Sequence, residues 1–167
     1  MDEMNYVNNK CFVSTLTRLR ESSKDAVVSA DFSDAYTMYM HVNRPVQDEF
    51  VSIIEKTYNS NNAELILLCG SVGDGKSHLL SYCKAKYPEM MSKFYIHNDS
   101  TASLYIDKPA SFTLVEVMKD FADEHLACSS RKVILAINLG TLSNFLEQDK
   151  DNRFLKLKEY VDKAGIL

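Results

Sequence analysis

The sequence contains few of the features that mark membrane, secreted or disordered proteins. It has 5 glycines and 3 prolines among 167 residues, and neither residue type forms a linker-like stretch. The longest apolar runs, around Leu65–Cys69 and Ile134–Ile137, have the length of a strand, well below the roughly 18 residues that a membrane helix needs. The first residues, Met1–Asn5, are polar and acidic, unlike a secretory signal. We therefore expect a folded cytoplasmic protein that does not enter a membrane.

An excess of basic residues is also missing. Lysine and arginine together number 19, and aspartate and glutamate number 23, which gives a formal net charge of -4. Domains that grip DNA or RNA over a broad face usually carry a basic excess. The charge balance therefore predicts that any contact with DNA is indirect, made through partner proteins or through regions outside this sequence.

Closely spaced cysteines are absent as well. The sequence has 4 cysteines, which lie far apart at Cys11, Cys69, Cys83 and Cys128. None of them stands at the spacing of a metal-ligand pair. We expect reduced thiols, as is usual in cytosolic proteins, and no metal centre built from cysteine and histidine.

From residue 44 onward, helical and strand patterns alternate. Pro45 suits the first position of a helix, and apolar residues follow it at helical spacing. Two apolar runs, over 63–69 and 132–138, predict buried strands of a parallel sheet. The other predicted elements are a helix over 78–86, a strand over 94–98, a helix opened by a Thr113–Glu116 capping box, and short helices over 141–147 and 153–163. This alternation predicts an α/β fold with a mostly parallel sheet.

The pattern divides the sequence into two regions. Residues 44–167 carry the alternating elements and form the predicted domain. Residues 1–43 are predicted to be a helical and extended arm, with a helix over roughly 11–22, where apolar residues recur at helical spacing.

One motif carries recognisable chemistry. The segment Gly70-Ser71-Val72-Gly73-Asp74-Gly75-Lys76-Ser77 is a complete Gly-x-x-x-x-Gly-Lys-Ser sequence, the pattern of a phosphate-binding P-loop. It follows a predicted buried strand and opens a predicted helix, which is the context that the motif requires. The sequence therefore predicts an NTPase-like fold in which helices cover both faces of the sheet, a three-layer α/β/α arrangement.

The residue types of the motif predict their roles. Glycines allow backbone conformations closed to other residues and let the loop approach phosphate closely, and successive N–H groups of the loop form a concave anion site. Lys76 is the predicted cation on the β- and γ-phosphates, and the Ser77 hydroxyl is the predicted Mg²⁺ ligand. We expect the whole loop, with His78 directly after it, to bind ATP together with Mg²⁺.

Hydrolysis usually needs an acidic residue at the end of a neighbouring strand, and the sequence offers two candidates near such ends. After Ile134–Ile137 stands Asn138, which carries no charge and cannot act as a base. Either Asn138 senses the γ-phosphate or this strand is not the expected one. After the second strand stands Asp99, a candidate metal and catalytic residue whose alternative role is to cap a turn.

Asp74 within the motif, His78 directly after it and the region around Arg44 each have two alternative interpretations. Asp74 either shapes the loop or faces the solvent, and an outward orientation is the default because an inward carboxylate would repel phosphate. For His78, a surface or interface position is the alternative to phosphate contact. The region around Val42–Val46, which includes Arg44 and lies upstream of the first strand, is a candidate adenine contact. Several tyrosines could provide a stacking surface, although core packing is the more common explanation for them.

Several segments of the sequence resemble one bacterial family. The P-loop region, Leu65–Leu80, resembles that of the DptF (DndF) family of DNA phosphorothioation-dependent restriction proteins. Further segments resemble the family in the same order: Val42–Phe50, Tyr95–Asp99 and Lys132–Phe145. The resemblance covers roughly residues 40–150. Its most discriminating part is Ala136–Gly140 together with Asn98–Asp99, since many families share the P-loop alone.

The resemblance implies an ATP-binding component of a bacterial antiviral restriction system. Family members act with partner proteins on DNA that lacks phosphorothioate modification, and they are thought to contribute an ATP-dependent function. Asn138 matches the family at its position, which implies that the missing carboxylate is a family trait. Because family members are considerably longer, we expect this sequence to be the N-terminal part of a longer ATPase core, with weak turnover or none on its own.

Two other functions remain open. The first is a nucleotide-dependent regulatory or scaffolding module, of the AAA or STAND type, that binds ATP without turning it over. The second is a small metabolite or nucleoside kinase, which is disfavoured because its P-loop normally lies near the N-terminus, whereas here it begins at Gly70. No guanine-reading Asn-Lys-x-Asp motif is present, which favours ATP over GTP.

Overall fold

The computed structural model describes residues 41–98 and 110–167, with side chains from residue 113 onward in the second range. The predicted arm over residues 1–43 therefore lies outside the described residues except for its last three. The candidate residue Asp99 also lies outside them.

A parallel sheet of three strands forms the centre of the described part of the chain. Its strands are β1 (Glu64–Cys69), β2 (Tyr95–Asn98) and β3 (Lys132–Ile137). The strand order is β1-β3-β2, so β3 lies between the other two, and both pairs are parallel. The sequence prediction of an α/β fold with a parallel sheet is confirmed.

Six α-helices connect and cover these strands within the described ranges. They are α1 (Pro45–Tyr58), α2 (Lys76–Lys86), α3 (Pro88–Met91), α4 (Ala110–Met118), α5 (Leu139–Gln148) and α6 (Leu155–Lys163). A 3₁₀ turn, Lys119–Phe121, continues α4. No helix in the described ranges has the length and apolar character needed to cross a bilayer.

Alternating side chains of β3 enter two separate hydrophobic cores. Val133, Leu135 and Ile137 pack with residues of α4, α5 and α6. Ile134 and Ala136 pack with residues of α1, α2 and α3. All of these β3 side chains are fully or almost fully buried. Burying each large apolar side chain stabilises the fold by about 1.5–3 kcal/mol. Helices therefore cover both faces of the sheet, and the apolar run of β3 is explained by burial on two sides.

The helices predicted over 78–86, 141–147 and 153–163 begin within two residues of the observed starts of α2, α5 and α6, whereas two other helices differ more from the sequence prediction. The helix expected to open at Thr113 begins at Ala110, so Thr113 lies inside it and the capping-box prediction is wrong. Pro109 precedes Ala110 in the sequence, and proline favours the first turn of a helix, which fits the earlier start. The short helix α3 was not predicted, although Pro88 at its start suits the same position.

The register of the strands brings three strand ends to one edge of the sheet. Cys69, the last residue of β1, lies opposite Ile137, and Asn98, the last residue of β2, lies opposite Ala136. The loop after β1 and the residue after β3 therefore lie next to each other at the carboxyl edge. Ligands of open α/β sheets bind at this edge.

Candidate phosphate-binding site

The loop between β1 and α2 has the backbone form that the glycine pattern predicts. Gly73 and Gly75 adopt positive φ angles of 91° and 78°, a region that side chains other than glycine enter only with strain. Gly75 is the N-cap of α2. The loop therefore turns sharply into the helix, and the first N–H groups of α2, which have no acceptor within the helix, follow directly after it.

The N-terminus of α2 carries no compensating negative charge of its own. Its first turn contains no acidic residue, whereas its last turn carries Lys84 and Lys86. The two lysines compensate the partial negative charge at the C-terminal end of the helix. No side chain of the helix compensates the partial positive charge at its N-terminal end. An anion at this end would therefore be stabilised.

Lys76 reaches back over the loop. Its Nζ donates hydrogen bonds to the carbonyl oxygens of Gly70 and Ser71, at 2.9 and 2.7 Å. These bonds hold the ammonium group at the start of the loop, although the residue lies at its end. The cation and the loop N–H groups are thus gathered in one small region, as phosphate binding requires.

Asp74 shapes the loop, which is the first of its two predicted roles, and the residue nevertheless stays exposed. Its carboxylate Oδ2 accepts a hydrogen bond from the Ser71 N–H at 2.5 Å, and its own N–H donates to the Ser71 carbonyl at 3.3 Å. The same carboxylate lies over Gly70, where a Cβ would come within 2.7 Å of it. The Asp74 side chain therefore closes the first half of the loop. A side chain at position 70 would collide with it, which accounts for the glycine there.

Ser77 is hydrogen bonded to a residue of β2. The Asn98 side-chain nitrogen donates to Ser77 Oγ at 2.7 Å. Asn98 is buried at the end of its strand, whereas the sequence predicts a role for the neighbouring acidic Asp99. The position of Asn98 as the last residue of a strand at the carboxyl edge was the available signal. The structure thus connects β2 to the predicted metal ligand through an amide.

Asn138 has a structural role in this conformation. Its side-chain oxygen accepts a hydrogen bond from the Thr141 N–H at 2.8 Å, which makes it the N-cap of α5. The register places it directly after Ile137, which lies opposite Cys69 and hence beside the start of the loop. Asn138 therefore lies at the predicted edge, while its predicted role as a γ-phosphate sensor stays a prediction.

Arg44 contacts the loop from the start of α1. Its Nη1 donates to the carbonyl oxygen of Asp74 at 2.9 Å. The guanidinium also covers Gly75, where a Cβ would lie 2.9 Å from Nη2. The sequence predicts an adenine contact in this region, whereas the Arg44 side chain contacts the loop between β1 and α2.

His78 belongs to a cluster of rings beside the loop. Its Nε2 lies 2.9 Å from Nδ1 of His41, whose ring stacks on Tyr82 with the ring centres 3.6 Å apart. The other nitrogen of His41 lies 2.5 Å from the side-chain oxygen of Gln47. Burial, with the nearby His41 and Arg44, lowers the pKa of His78. In the bond between the two histidines one ring nitrogen donates and the other accepts, and the tautomers decide which does which.

The three described cysteines, Cys69, Cys83 and Cys128, are free thiols. Burial raises the pKa of Cys69, against the opposing effect of Lys76, and raises that of Cys83 to about 11. Cys128 is exposed. Within residues 41–98 and 110–167, no group of three or more histidine, cysteine, aspartate or glutamate side chains is placed to hold a metal ion.

The structure brings together the residues of the predicted loop, Gly70 to Ser77, with Asn138 one strand away. Within the loop, Val72 is 93% exposed. Compared with known proteins, the chain matches no family model, no curated protein and no solved structure.

Proposed function

We propose that the chain binds the phosphates of ATP through the loop Gly70–Ser77, with Mg²⁺ as the accompanying cation. The observation that carries the proposal is the position of Lys76, whose ammonium group is bonded to the carbonyls at the opposite end of a glycine loop. The loop opens a helix whose first turn has no acidic residue. Glycines, an ammonium group and helix N–H groups together favour a polyphosphate over a monovalent anion.

The predicted cation has one suitable ligand in the described residues. Ser77 Oγ, at the N-terminus of α2, is the kind of hard oxygen that Mg²⁺ accepts beside phosphate oxygens and water. Asn98 supports this hydroxyl, and an amide can either donate to a serine oxygen or accept its proton. When bound, Mg²⁺ would neutralise the charge of the β- and γ-phosphates, and Ser77 would hold it against the loop.

We further propose that this ATP site serves a DNA phosphorothioation-dependent restriction complex together with partner proteins. This part of the proposal depends on the resemblance of Leu65–Leu80 and Lys132–Phe145 to the DptF family. The net charge of -4 supports a role in which other proteins or regions make the main contact with DNA.

A specific observation favours a second candidate, which is ATP binding without turnover in a regulatory or scaffolding module. Both strand ends next to the loop that the structure describes carry an amide, Asn98 on β2 and Asn138 after β3. An amide cannot take a proton from attacking water as a carboxylate can. This candidate differs from the first only in whether phosphate is released.

Calorimetric titration with MgATP tests the binding proposal. The unaltered chain should bind, and Lys76→Ala should weaken binding by about 100-fold or more, because a charge-assisted contact to phosphate is lost. Lys93→Ala is the matched control, since Lys93 is exposed and precedes β2 at the opposite edge of the sheet. Equal binding by the unaltered chain and by Lys76→Ala, or no binding by either, would contradict the proposal.

Phosphate release in the same samples separates the two candidates. Release by the chain with partner proteins, abolished in Lys76→Ala, would favour the ATPase. Binding that persists with no release under any of these conditions would favour the regulatory module.

A further inference from the structure

Arg44 is fixed in place by the start of α1. It is the N-cap residue of that helix, with extended backbone angles, and its carbonyl accepts the hydrogen bond of the Gln47 N–H. Proline follows it at the first helical position, which limits the backbone further. The side chain therefore projects from a defined point on a helix of 14 residues.

The helix that carries Arg44 and the helix that follows the loop share one core. Phe50 and Ile54 of α1 pack in the same hydrophobic cluster as Leu79 and Leu80 of α2. All of these side chains are buried to 97% or more, with exposures of 3%, 1%, 2% and 0% respectively. The distance between the start of α1 and the start of α2 is therefore set by packing, so the arginine meets the loop at a fixed position.

The contact of Arg44 determines the orientation of one peptide group. Nη1 holds the carbonyl oxygen of Asp74, and the guanidinium covers Gly75. In a trans peptide the C=O and the following N–H point in opposite directions. The Gly75 N–H must therefore point away from Arg44. It directly precedes the N–H groups at the start of α2, which have no acceptor within the helix.

We propose that Arg44 is a positioning residue for the phosphate loop. By holding the Asp74 carbonyl, it keeps the Gly75 N–H aligned with the donors at the start of α2, ready for a polyphosphate. The proposal rests on phosphate binding by the loop. It assigns Arg44 a role toward the phosphates and none toward the base, in contrast to the adenine contact expected from the sequence.

The glycine at position 75 fits this arrangement. A Cβ there would come within 2.9 Å of Arg44 Nη2, a distance at which something must move. Any larger residue would have to push the guanidinium aside and would disturb its hydrogen bond to the Asp74 carbonyl. Gly75 is therefore needed both for its positive φ and for the approach of the arginine.

Affinities for magnesium pyrophosphate and for MgATP test this role, since pyrophosphate has phosphates but no base. Arg44→Ala should weaken binding of both ligands by the same factor, about tenfold, because one charge-assisted hydrogen bond supports the loop. Arg44→Lys should restore most of the affinity, since its single ammonium group can still donate to a carbonyl. The control is Arg131→Ala. Arg131 is half-buried, pairs with Asp120 and lies directly before β3, at the edge of the sheet opposite the loop.

The thermal unfolding midpoint of the ligand-free protein is measured in parallel. The proposal predicts that Arg44→Ala lowers affinity much more than Arg131→Ala does, even where the two variants have equal midpoints. A loss of ATP affinity with unchanged pyrophosphate affinity would overturn the proposal in favour of a base contact. Unchanged affinity for both ligands would overturn it outright. Failure of the unaltered chain to bind either ligand would overturn the proposed function and this role with it.

Discussion

The glycines of the loop differ in what surrounds them, although two of them share a backbone conformation. Gly73 and Gly75 both have positive φ angles, 91° and 78°. Nothing lies within 4 Å of a Cβ placed at Gly73, whereas Arg44 lies within 2.9 Å of one placed at Gly75. A substitution at Gly73 would therefore introduce backbone strain alone. A substitution at Gly75 would introduce the same strain and would also disturb the contact with Arg44.

This difference predicts the order of two variants. Gly73→Ala should lower the free energy of unfolding by about 1–2 kcal/mol, the cost of a left-handed conformation for a residue with a Cβ. Gly75→Ala should lower it further, because the Arg44 contact is also lost. Urea unfolding of both variants measures the difference. A Gly75→Ala protein as stable as Gly73→Ala would mean that the arginine contact contributes nothing to stability.

The pKa of His78 predicts how stability depends on pH. Burial lowers this pKa first, and His41 and Arg44 lower it further, from the ordinary value of 6.5. The unfolded chain therefore takes up a proton at position 78 at a higher pH than the folded chain does. This contribution to stability is fully present above pH 6.5 and is lost as the pH falls below it.

His78→Gln should make the free energy of unfolding less dependent on pH between 5 and 7. His125→Gln is the control, since that ring is exposed and pairs with the exposed Glu124. Urea unfolding at several pH values gives both slopes. A slope in His78→Gln as steep as in the unaltered chain would show that another group is responsible.

At single residues, the sequence predicts identity better than orientation. The motif named every residue of the loop, because each has a role that few other residue types can fill. It did not predict that the Asp74 carboxylate would turn back to Ser71, since that depends on the backbone of the folded loop. The sequence does not predict the partners of Arg44 and Asn98, because they lie 30 and 21 residues away along the chain.

Among the elements, α5 depends on Asn138, for which the sequence predicts a role as a γ-phosphate sensor. Asn138 caps this helix through the Thr141 N–H, and a polar N-cap satisfies one of the donors that the helix leaves open. The side chain therefore contributes to stability whatever its role toward a nucleotide. If a variant of Asn138 loses activity, its stability must also be measured, because loss of the cap alone would destabilise the fold.

Two substitutions separate the cap from the amide. Asn138→Ala should lower the free energy of unfolding by about 1 kcal/mol, the usual cost of losing an N-cap. Asn138→Asp should leave it nearly unchanged, since aspartate is an equally good cap. Urea unfolding again provides the measurement. Equal stability of the alanine and aspartate variants would contradict a capping role.

Predicted elements matched the structure best where the pattern was long and apolar. The strands at 63–69 and 132–138 correspond to β1 and β3 within a residue at each end, because burial on both faces produces a continuous apolar run. The start of α4 was misplaced because a Thr113–Glu116 pair occurs inside the helix as readily as at its end. Local capping signals are short, and the packing of the apolar face decides between them.

At the scale of the whole molecule, alternation predicted the fold class but not the order of the strands. The central position of β3 follows from its burial on both faces, whereas the outer positions of β1 and β2 depend on contacts between residues far apart in the sequence. That order brings Asn98, Asn138 and the loop to one edge of the sheet. The proposed site is therefore a product of topology as much as of the motif.

The most direct test of the proposed site is a titration of the ¹⁵N-labelled chain with MgATP, followed through the backbone amide signals. Our account predicts the largest changes at the amides of Gly73 to Ser77, whose N–H groups would face the phosphates. Lys76→Ala should abolish these changes, and Lys93→Ala should leave them intact. If the loop amides stay unchanged while signals elsewhere move, or if no signal moves at millimolar MgATP, then the loop is not a phosphate-binding site.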